Sequence, residues 1–331
     1  MRALVTGGCG FIGSAISKKL FDNGWDVEIV DDMSNGSYEF LEGYKFKSFP
    51  AQLGHIFEQQ NKDLDRQLLV ISGDFVSDEV VRRIVEKKYD VVFHCAANPR
   101  VEYSVQNPLE TTNENLMKTV RLFTHCISNV KRIVFSSSCS IYGDPSVLPT
   151  EESHVKDPNS PYAIQKLCGE DYAKLYCKLY DIDVVSLRYF NVYGPYQYGN
   201  SPYSTAIVSW CDKVKKGVSL RSDGDGTQTR DMVFVEDVAQ ANLLAASREE
   251  NFNGECINIG TGESYSNNEI LEIFTSKFSG LEIVNAPERP GDVKHTLSCI
   301  KKAEKELGFK FEYNLKQGIE KVFNWWGFNE E

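Results

Sequence analysis

The chain has 331 residues, 41% hydrophobic and 25% charged, with a formal net charge of −11, a size that suits one large domain or two modest ones. The acidic balance disfavours nonspecific attraction to nucleic acid or an anionic membrane, which leaves small-molecule chemistry as the expectation. No apolar run is long enough to cross a bilayer, and the nine scattered cysteines form no Cys-x-x-Cys pair, so a cytoplasmic protein with buried thiols, no disulfide framework and no metal is expected.

Along the chain, short β-branched runs alternate with helical patterns. Strands are predicted at Ala3 to Thr6, Val27 to Val30, Leu68 to Ser72, Val91 to His94, Arg132 to Ser136 and Val184 to Leu187. Helices are predicted near Gly13 to Phe21, closed by Asn23-Gly24, and at Asp78 to Lys87, Leu116 to Ser128 and Pro161 to Tyr180. The alternation predicts an α/β fold, a Rossmann-type doubly wound parallel sheet over residues 1–188. Over 189–331 the regularity breaks into Gly, Pro, Tyr and Asn-rich loops with shorter elements. That composition predicts a smaller C-terminal substrate-binding α/β cap, partly returning to the first domain, rather than a second independent core, with ligand between the two. The stretch from Ser34 to Gln67 carries charge and aromatics without periodicity and receives no assignment. Within it, Asn35-Gly36-Ser37 reads as turn chemistry rather than a glycan acceptor.

Between the first strand and first helix lies Thr6-Gly7-Gly8-Cys9-Gly10-Phe11-Ile12-Gly13-Ser14, a G-x-G-x-x-G match where such a loop must lie to work. Gly7, Gly10 and Gly13 permit a tight turn and close approach of a pyrophosphate, which the amides opening the helix at Phe11 and Ile12 would stabilise. Asp31, ending the second strand, suits the adenosine ribose hydroxyls and would repel a 2′-phosphate, so NAD is favoured over NADP. Asp74, in Gly73-Asp74-Phe75 after the third predicted strand, suits either an adenine contact or a loop cap.

Tyr162 and Lys166 stand four apart at the start of a helix whose N-cap and first position suit Ser160 and Pro161, so both side chains share one face. About twenty residues upstream, at the end of a strand and in the crevice where open α/β sheets bind ligands, is Ser136-Ser137-Ser138-Cys139-Ser140-Ile141-Tyr142-Gly143. With His94-Cys95-Ala96-Ala97, Asn115, Arg188-Tyr189-Phe190-Asn191-Val192-Tyr193-Gly194-Pro195, Arg230-Asp231-Met232-Val233-Phe234-Val235-Glu236-Asp237-Val238 and Arg289-Pro290-Gly291-Asp292, these strings resemble the extended short-chain dehydrogenase/reductase family. Within it, they resemble the nucleotide-sugar epimerases and dehydratases over nearly the entire chain.

The resemblance implies that Tyr162 is the acid/base, made a better base by Lys166, while Ser138 hydrogen-bonds the reacting oxygen and Lys166 also holds the nicotinamide ribose. It places Ala96, Asn115 and Phe75 on the cofactor side. Dehydratases of the family carry an Asp-Glu pair where this chain has Cys139 and Ser140, so dehydration is disfavoured. Epimerisation at C4, through a transient 4-keto sugar and bound NADH, needs only the Ser, Tyr and Lys. Arg230 and Arg289 are expected to clamp a diphosphate, with surface ion pairs to Asp231 or Asp292 as the alternative. Asn191 is expected near the phosphates, and Asp237 to support the cap.

The segment Arg289 to Leu297 resembles the C-terminal string of 4-epimerases acting on N-acetylated UDP-hexoses. Epimerases restricted to glucose and galactose have a bulky tyrosine where this chain has Thr296. With Asp292 in the same string and Ser104 as a substrate-side serine, Thr296 implies a UDP-GlcNAc/UDP-GalNAc 4-epimerase. The string departs from that group at Cys299, where aspartate is usual, and the cap departs at Val208, where proline is usual. The alternatives are a UDP-glucose/UDP-galactose 4-epimerase, a UDP-glucuronate epimerase or decarboxylase, and a noncatalytic NAD-binding interaction protein. A homodimer through a four-helix bundle is implied by the resemblance, with Leu167, Tyr172, Leu175 and Leu179 serving either that bundle or the protomer's own core.

Overall fold

The computed structural model describes residues 1–53, 66–197, 205–287 and 293–328. The chain divides into two compact units, the first formed by Met1–Ser138, Ser160–Arg188 and Val238–Ile257, the second by Cys139–Asn159, Tyr189–Asp237 and Asn258–Glu331.

The first unit is built on strands β1 (Arg2–Thr6), β2 (Asp26–Asp31), β3 (Phe46–Pro50), β4 (Leu68–Ser72), β5 (Val91–His94), β6 (Arg132–Ser138) and β7 (Asp183–Tyr189), with Cys256–Ile259 at the far edge. Their order is β3-β4-β2-β1-β5-β6-β7 and then Cys256–Ile259, and the registered pairs from β3 through β6 are parallel. Strands leave β1 in one direction through β2 and the other through β5, so the strand order reverses beside the carboxyl ends of β1 and β5. That is where a doubly wound sheet opens a crevice for ligand. Helices on both faces hide β5 and β7 along their whole lengths, which is why these strands read as unbroken apolar runs. The core joins Leu4, Val30, Ile71, Val92, Ile133 and Val184 to Val80, Leu122, Phe123 and Ala173 from the helices.

Three expectations are corrected. The unassigned stretch after Ser34 contributes β3, whose Phe49 alone is buried among its five residues; a half-wet edge strand carries too little periodicity to be read. Its remainder at 54–65 lies outside the described residues. The helix expected from Leu116 begins with a π turn, Asn113–Met117, between Pro108–Thr112 and Lys118–Cys126. The second unit does have a core of its own, where Trp210, Phe274, Leu315, Ile319, Val322 and Phe323 meet. Those residues come from three helices, Ala206–Lys216, Asn267–Lys277 and Leu315–Trp325, each too short and too separated in sequence to announce a common core. Asp237 supports this unit as expected, accepting from the Glu312 and Tyr313 amides at 2.8 and 3.4 Å.

Candidate active site

The glycine loop is shaped by contacts that admit no side chain. Gly7 has φ +67°, and a Cβ there would come within 2.8 Å of the Ala96 backbone; a Cβ on Gly13 would run into the Gly7 carbonyl. The helix Phe11–Asp22 starts at Gly10 with no side-chain cap, so the first-turn amides of Phe11 and Ile12 have no carbonyl partner within the helix and suit an anion. Asp31 is 7% exposed; its Oδ2 accepts from the Cys9 amide and its Oδ1 from the Met33 amide, both at 2.9 Å. Burial raises its pKa. A cradle closed to side chains, an uncapped helix start and a carboxylate at the end of β2 fit a dinucleotide such as NAD. Asp74 caps its own loop, accepting from the Val76 amide at 2.9 Å and pairing with Lys118 at 2.8 Å. Phe75 packs on the His94 ring, centroids 5.0 Å apart.

His94, at the end of β5, is 1% exposed and sits between two hydroxyls, Thr6 Oγ1 at 2.7 Å from Nδ1 and Thr119 Oγ1 at 2.8 Å from Nε2. Thr119 donates to the Asn115 carbonyl at 2.7 Å, so it accepts from Nε2–H. Nδ1 therefore accepts from Thr6, whose oxygen accepts from the Ala96 amide at 3.2 Å. This directed chain ties the loop after β5 to the π turn and requires a neutral ring. Burial and the nearby Lys166 push the imidazole down to about 3, against an unfolded value near 6.5. The neutral ring's contribution is complete above pH 6.5 and is lost as pH falls toward 3, because only the unfolded chain takes up the proton. Denaturation titrations of wild type and His94→Asn should show the wild type losing up to about 1.4 kcal/mol more per pH unit between pH 6 and 4; equal slopes would refute this account.

Ser138 ends β6, and Cys139 opens the short turn that follows. Tyr162 is the second residue of the helix Pro161–Leu179. Ser160 Oγ accepts from the Ala163 amide, and Ser104 Oγ accepts from the Tyr162 amide, both at 3.1 Å. Ser104 is 0% exposed and donates onward to the Val101 carbonyl. Its oxygen thus supports the start of the Tyr162 helix. Lys166 is 3% exposed and donates to the Ser136 carbonyl at 2.7 Å, with Nζ 5.9 Å from the Tyr162 ring centroid. Burial pushes it down to about 8, opposed by Cys95 and Glu170, so at neutral pH the ammonium form predominates. Asn115, 1% exposed, spends its amide on Asn98 N, Asn98 O and Gln165 Oε1; its side chain thus braces the loop after β5.

Sequence reading missed Glu170, buried one turn beyond Lys166. It takes both Arg188 Nε and Nη2, at 2.9 and 2.7 Å, and the Ser137 hydroxyl at 2.5 Å. Glu170 sits on the same helical face at the next i+4 step, the one signal by which it could have been found.

In the second unit, Asn191 Nδ2 donates to the Asp231 carbonyl at 3.2 Å and to Thr296 Oγ1 at 2.9 Å, while Thr296 Oγ1 also accepts from the Asp231 amide at 3.1 Å. Arg230 Nη1 is anchored on the Thr229 and Lys294 carbonyls at 3.0 and 3.2 Å. The Asp231 carboxylate is fully buried, accepting from Thr261, Gly262 and Ser298, and so braces this corner of the unit. Arg289 and Asp292 lie outside the described residues.

A family model for the NAD dependent epimerase/dehydratase family matches residues 3–260. The chain belongs to that family. Among relatives of this epimerase/dehydratase, a putative UDP-glucose 4-epimerase of Methanocaldococcus jannaschii is 38% identical over 97% of both chains. Among solved structures, a UDP-N-acetylglucosamine 4-epimerase from Methanobrevibacter ruminantium, in complex with UDP-N-acetylmuramic acid, superposes with TM-score 0.86 at 35% identity, covering 98% of this chain and 97% of that one. A UDP-glucose 4-epimerase from Thermotoga maritima, with UDP-glucose, gives TM-score 0.86 at 31% identity and 99% coverage of both.

Proposed function

We infer that the protein is an NAD-dependent UDP-sugar 4-epimerase, an isomerase, and propose UDP-GlcNAc and UDP-GalNAc as its substrate pair. The observation that carries the substrate choice is the Asn191–Thr296 pair. Asn191 commits its two N–H groups to Asp231 and Thr296, so what its side chain has left to offer is the Oδ1 acceptor, which suits an N–H rather than the phosphate the sequence reading expected beside it. Thr296 accepts twice through Oγ1 and retains its proton as a donor. An acceptor beside a donor is the complement of a secondary amide, the group that distinguishes a 2-acetamido sugar from glucose. A tyrosine at 296 would replace that donor with a bulkier ring.

In this reading Tyr162 removes the proton from the sugar C4 hydroxyl and returns it after the sugar has turned, Ser138 hydrogen-bonds that oxygen, and the Lys166 ammonium stabilises the phenolate. Gly7, Gly10, the amides of Phe11 to Gly13 and Asp31 would hold NAD, which would supply reversible oxidation at C4. Arg230, with Arg289, would hold the diphosphate. Cys139 and Ser140 suit no dehydration, since burial pushes the Cys139 thiol up to about 12. A homodimer would use the helix stripe Tyr172, Leu175 and Leu179, which is exposed on the protomer and so does not serve its core.

The protein incubated with UDP-GlcNAc should form UDP-GalNAc by proton NMR without added reductant, with UDP-glucose, whose C4 epimer is UDP-galactose, run separately. Thr296→Tyr should lose the N-acetylated conversion by about 10- to 100-fold while keeping that of UDP-glucose. Conversion of UDP-glucose alone by wild type would move the assignment to a galactose-type epimerase, and conversion of neither would turn it to UDP-glucuronate or to a noncatalytic role.

A further inference from the structure

We propose that Gln165, the last of the three residues between Tyr162 and Lys166, is a positioning residue that sets the rotation of the Tyr162 helix. It rests on the 4-epimerase reading only in its kinetic consequence. Gln165 is 2% exposed. Its Nε2 donates to Thr111 Oγ1 and Thr112 Oγ1, both at 3.1 Å, and its Oε1 accepts from Asn115 Nδ2 at 2.8 Å. The polarity is unambiguous. Thr111 donates to the Asn107 carbonyl and Thr112 to the Pro108 carbonyl, at 3.0 and 2.7 Å, so each hydroxyl has a lone pair to accept with. Asn115 gives its other N–H to Asn98 O.

A buried glutamine in mid-helix would be costly if any of these bonds were missing, and three partners are assembled for it. They come from one segment, Thr111 and Thr112 ending Pro108–Thr112 and Asn115 in the π turn Asn113–Met117 that follows; such turns recur at functional sites. Successive helix positions are about 100° apart, so Gln165 lies about 60° from Tyr162 and about 100° from Lys166 around the axis. A rotation of the helix that moved the phenol would pull the amide off all three partners. Ser104 secures the same element at a second point, through the Tyr162 amide itself. The two grips hold the helix at its first turn and one turn later, bracketing the phenol.

The test uses Gln165→Leu, the pair Thr111→Val/Thr112→Val, and Thr112→Val alone as the mildest variant, since Thr112 is only half-buried. Each should lower kcat, Gln165→Leu and the threonine pair by about 10- to 100-fold, with KM for the UDP-sugar within about twofold because the substrate-facing residues of the second unit are untouched. Combining Gln165→Leu with the threonine pair should be little worse than Gln165→Leu alone, because that change already cuts both threonine bonds. Amide hydrogen exchange over residues 160–170 should accelerate in every variant. A fall in thermal stability with kcat within twofold of wild type and unchanged exchange would overturn the proposal, as would a rise in KM with kcat preserved, or additive losses. The exchange measurement needs no turnover. Absence of epimerisation in wild type would therefore remove the functional reading while the exchange still decides the clamp.

Discussion

Tyr162→Phe should lose kcat by about 10²- to 10⁴-fold, the range attached to a positioned acid/base group, while keeping its fold and its bound NAD. The substitution removes one oxygen from a side chain that is 9% exposed, and leaves the ring, the Ser104 bond to its amide and the Lys166 bond to Ser136 in place. Only the group that can carry a proton is deleted. Initial rates of C4 epimer formation by proton NMR, read beside far-ultraviolet circular dichroism and the cofactor content of the purified protein, separate the effects. Activity at wild-type level would remove Tyr162 from the mechanism. Lys166→Met tests the other half, since a buried ammonium beside the phenol is what would make it a usable base; its loss should approach that of Tyr162→Phe. The two together should cost little more than the worse single change, because they act as one unit.

Arg132→Met should destabilise the protein by about 3–5 kcal/mol, the cost of removing one partner from a buried ion pair. Arg132 is 0% exposed and starts β6 beside the start of β7, where Nε donates to Asp183 Oδ2 at 2.6 Å. The rest of its fork reaches the Ala245, Arg248 and Glu250 carbonyls, at 2.9, 2.6 and 2.7 Å. Asp183 in turn accepts from the Phe252 and Asn253 amides. One guanidinium thus gathers the chain leading into the last strand of the sheet, and methionine would strand a carboxylate and three carbonyls. Arg132→Met/Asp183→Leu should be less damaging than the sum of the single changes, and Arg132→Lys should recover little because an ammonium cannot span the same four acceptors. Urea denaturation compares the wild type with all four variants; a loss under 1 kcal/mol for Arg132→Met would mean the pair is dispensable. Because these groups lie at the opposite ends of the strands from the glycine loop and Ser138, kcat per folded molecule should hold.

What could be read directly from the residues were features whose cause is local. The strands Leu68–Ser72 and Val91–His94 have the bounds expected of them, because a buried parallel strand is an uninterrupted apolar run closed by a turn. The glycine loop is legible because its geometry excludes a Cβ, and the start of the Tyr162 helix because Ser160 and Pro161 satisfy its first turn from within. The family was legible for the same reason: its chemistry needs particular groups at fixed short spacings.

What the tertiary structure decided concerns groups that are neighbours only after folding. Ser104 reads as one more polar residue in Val101-Glu102-Tyr103-Ser104, and only its distance from an amide 58 residues away makes it a support for Tyr162. Gln165 has a readable role only once Thr111, Thr112 and Asn115 close around it. Thr296 suggested open space by its size, but its donor became readable only once Asn191, 105 residues earlier, had taken up its lone pair. Hydrogen-bond satisfaction is a property of a surrounding, so a polar residue's role stays undetermined until burial removes water as its partner and the fold supplies another.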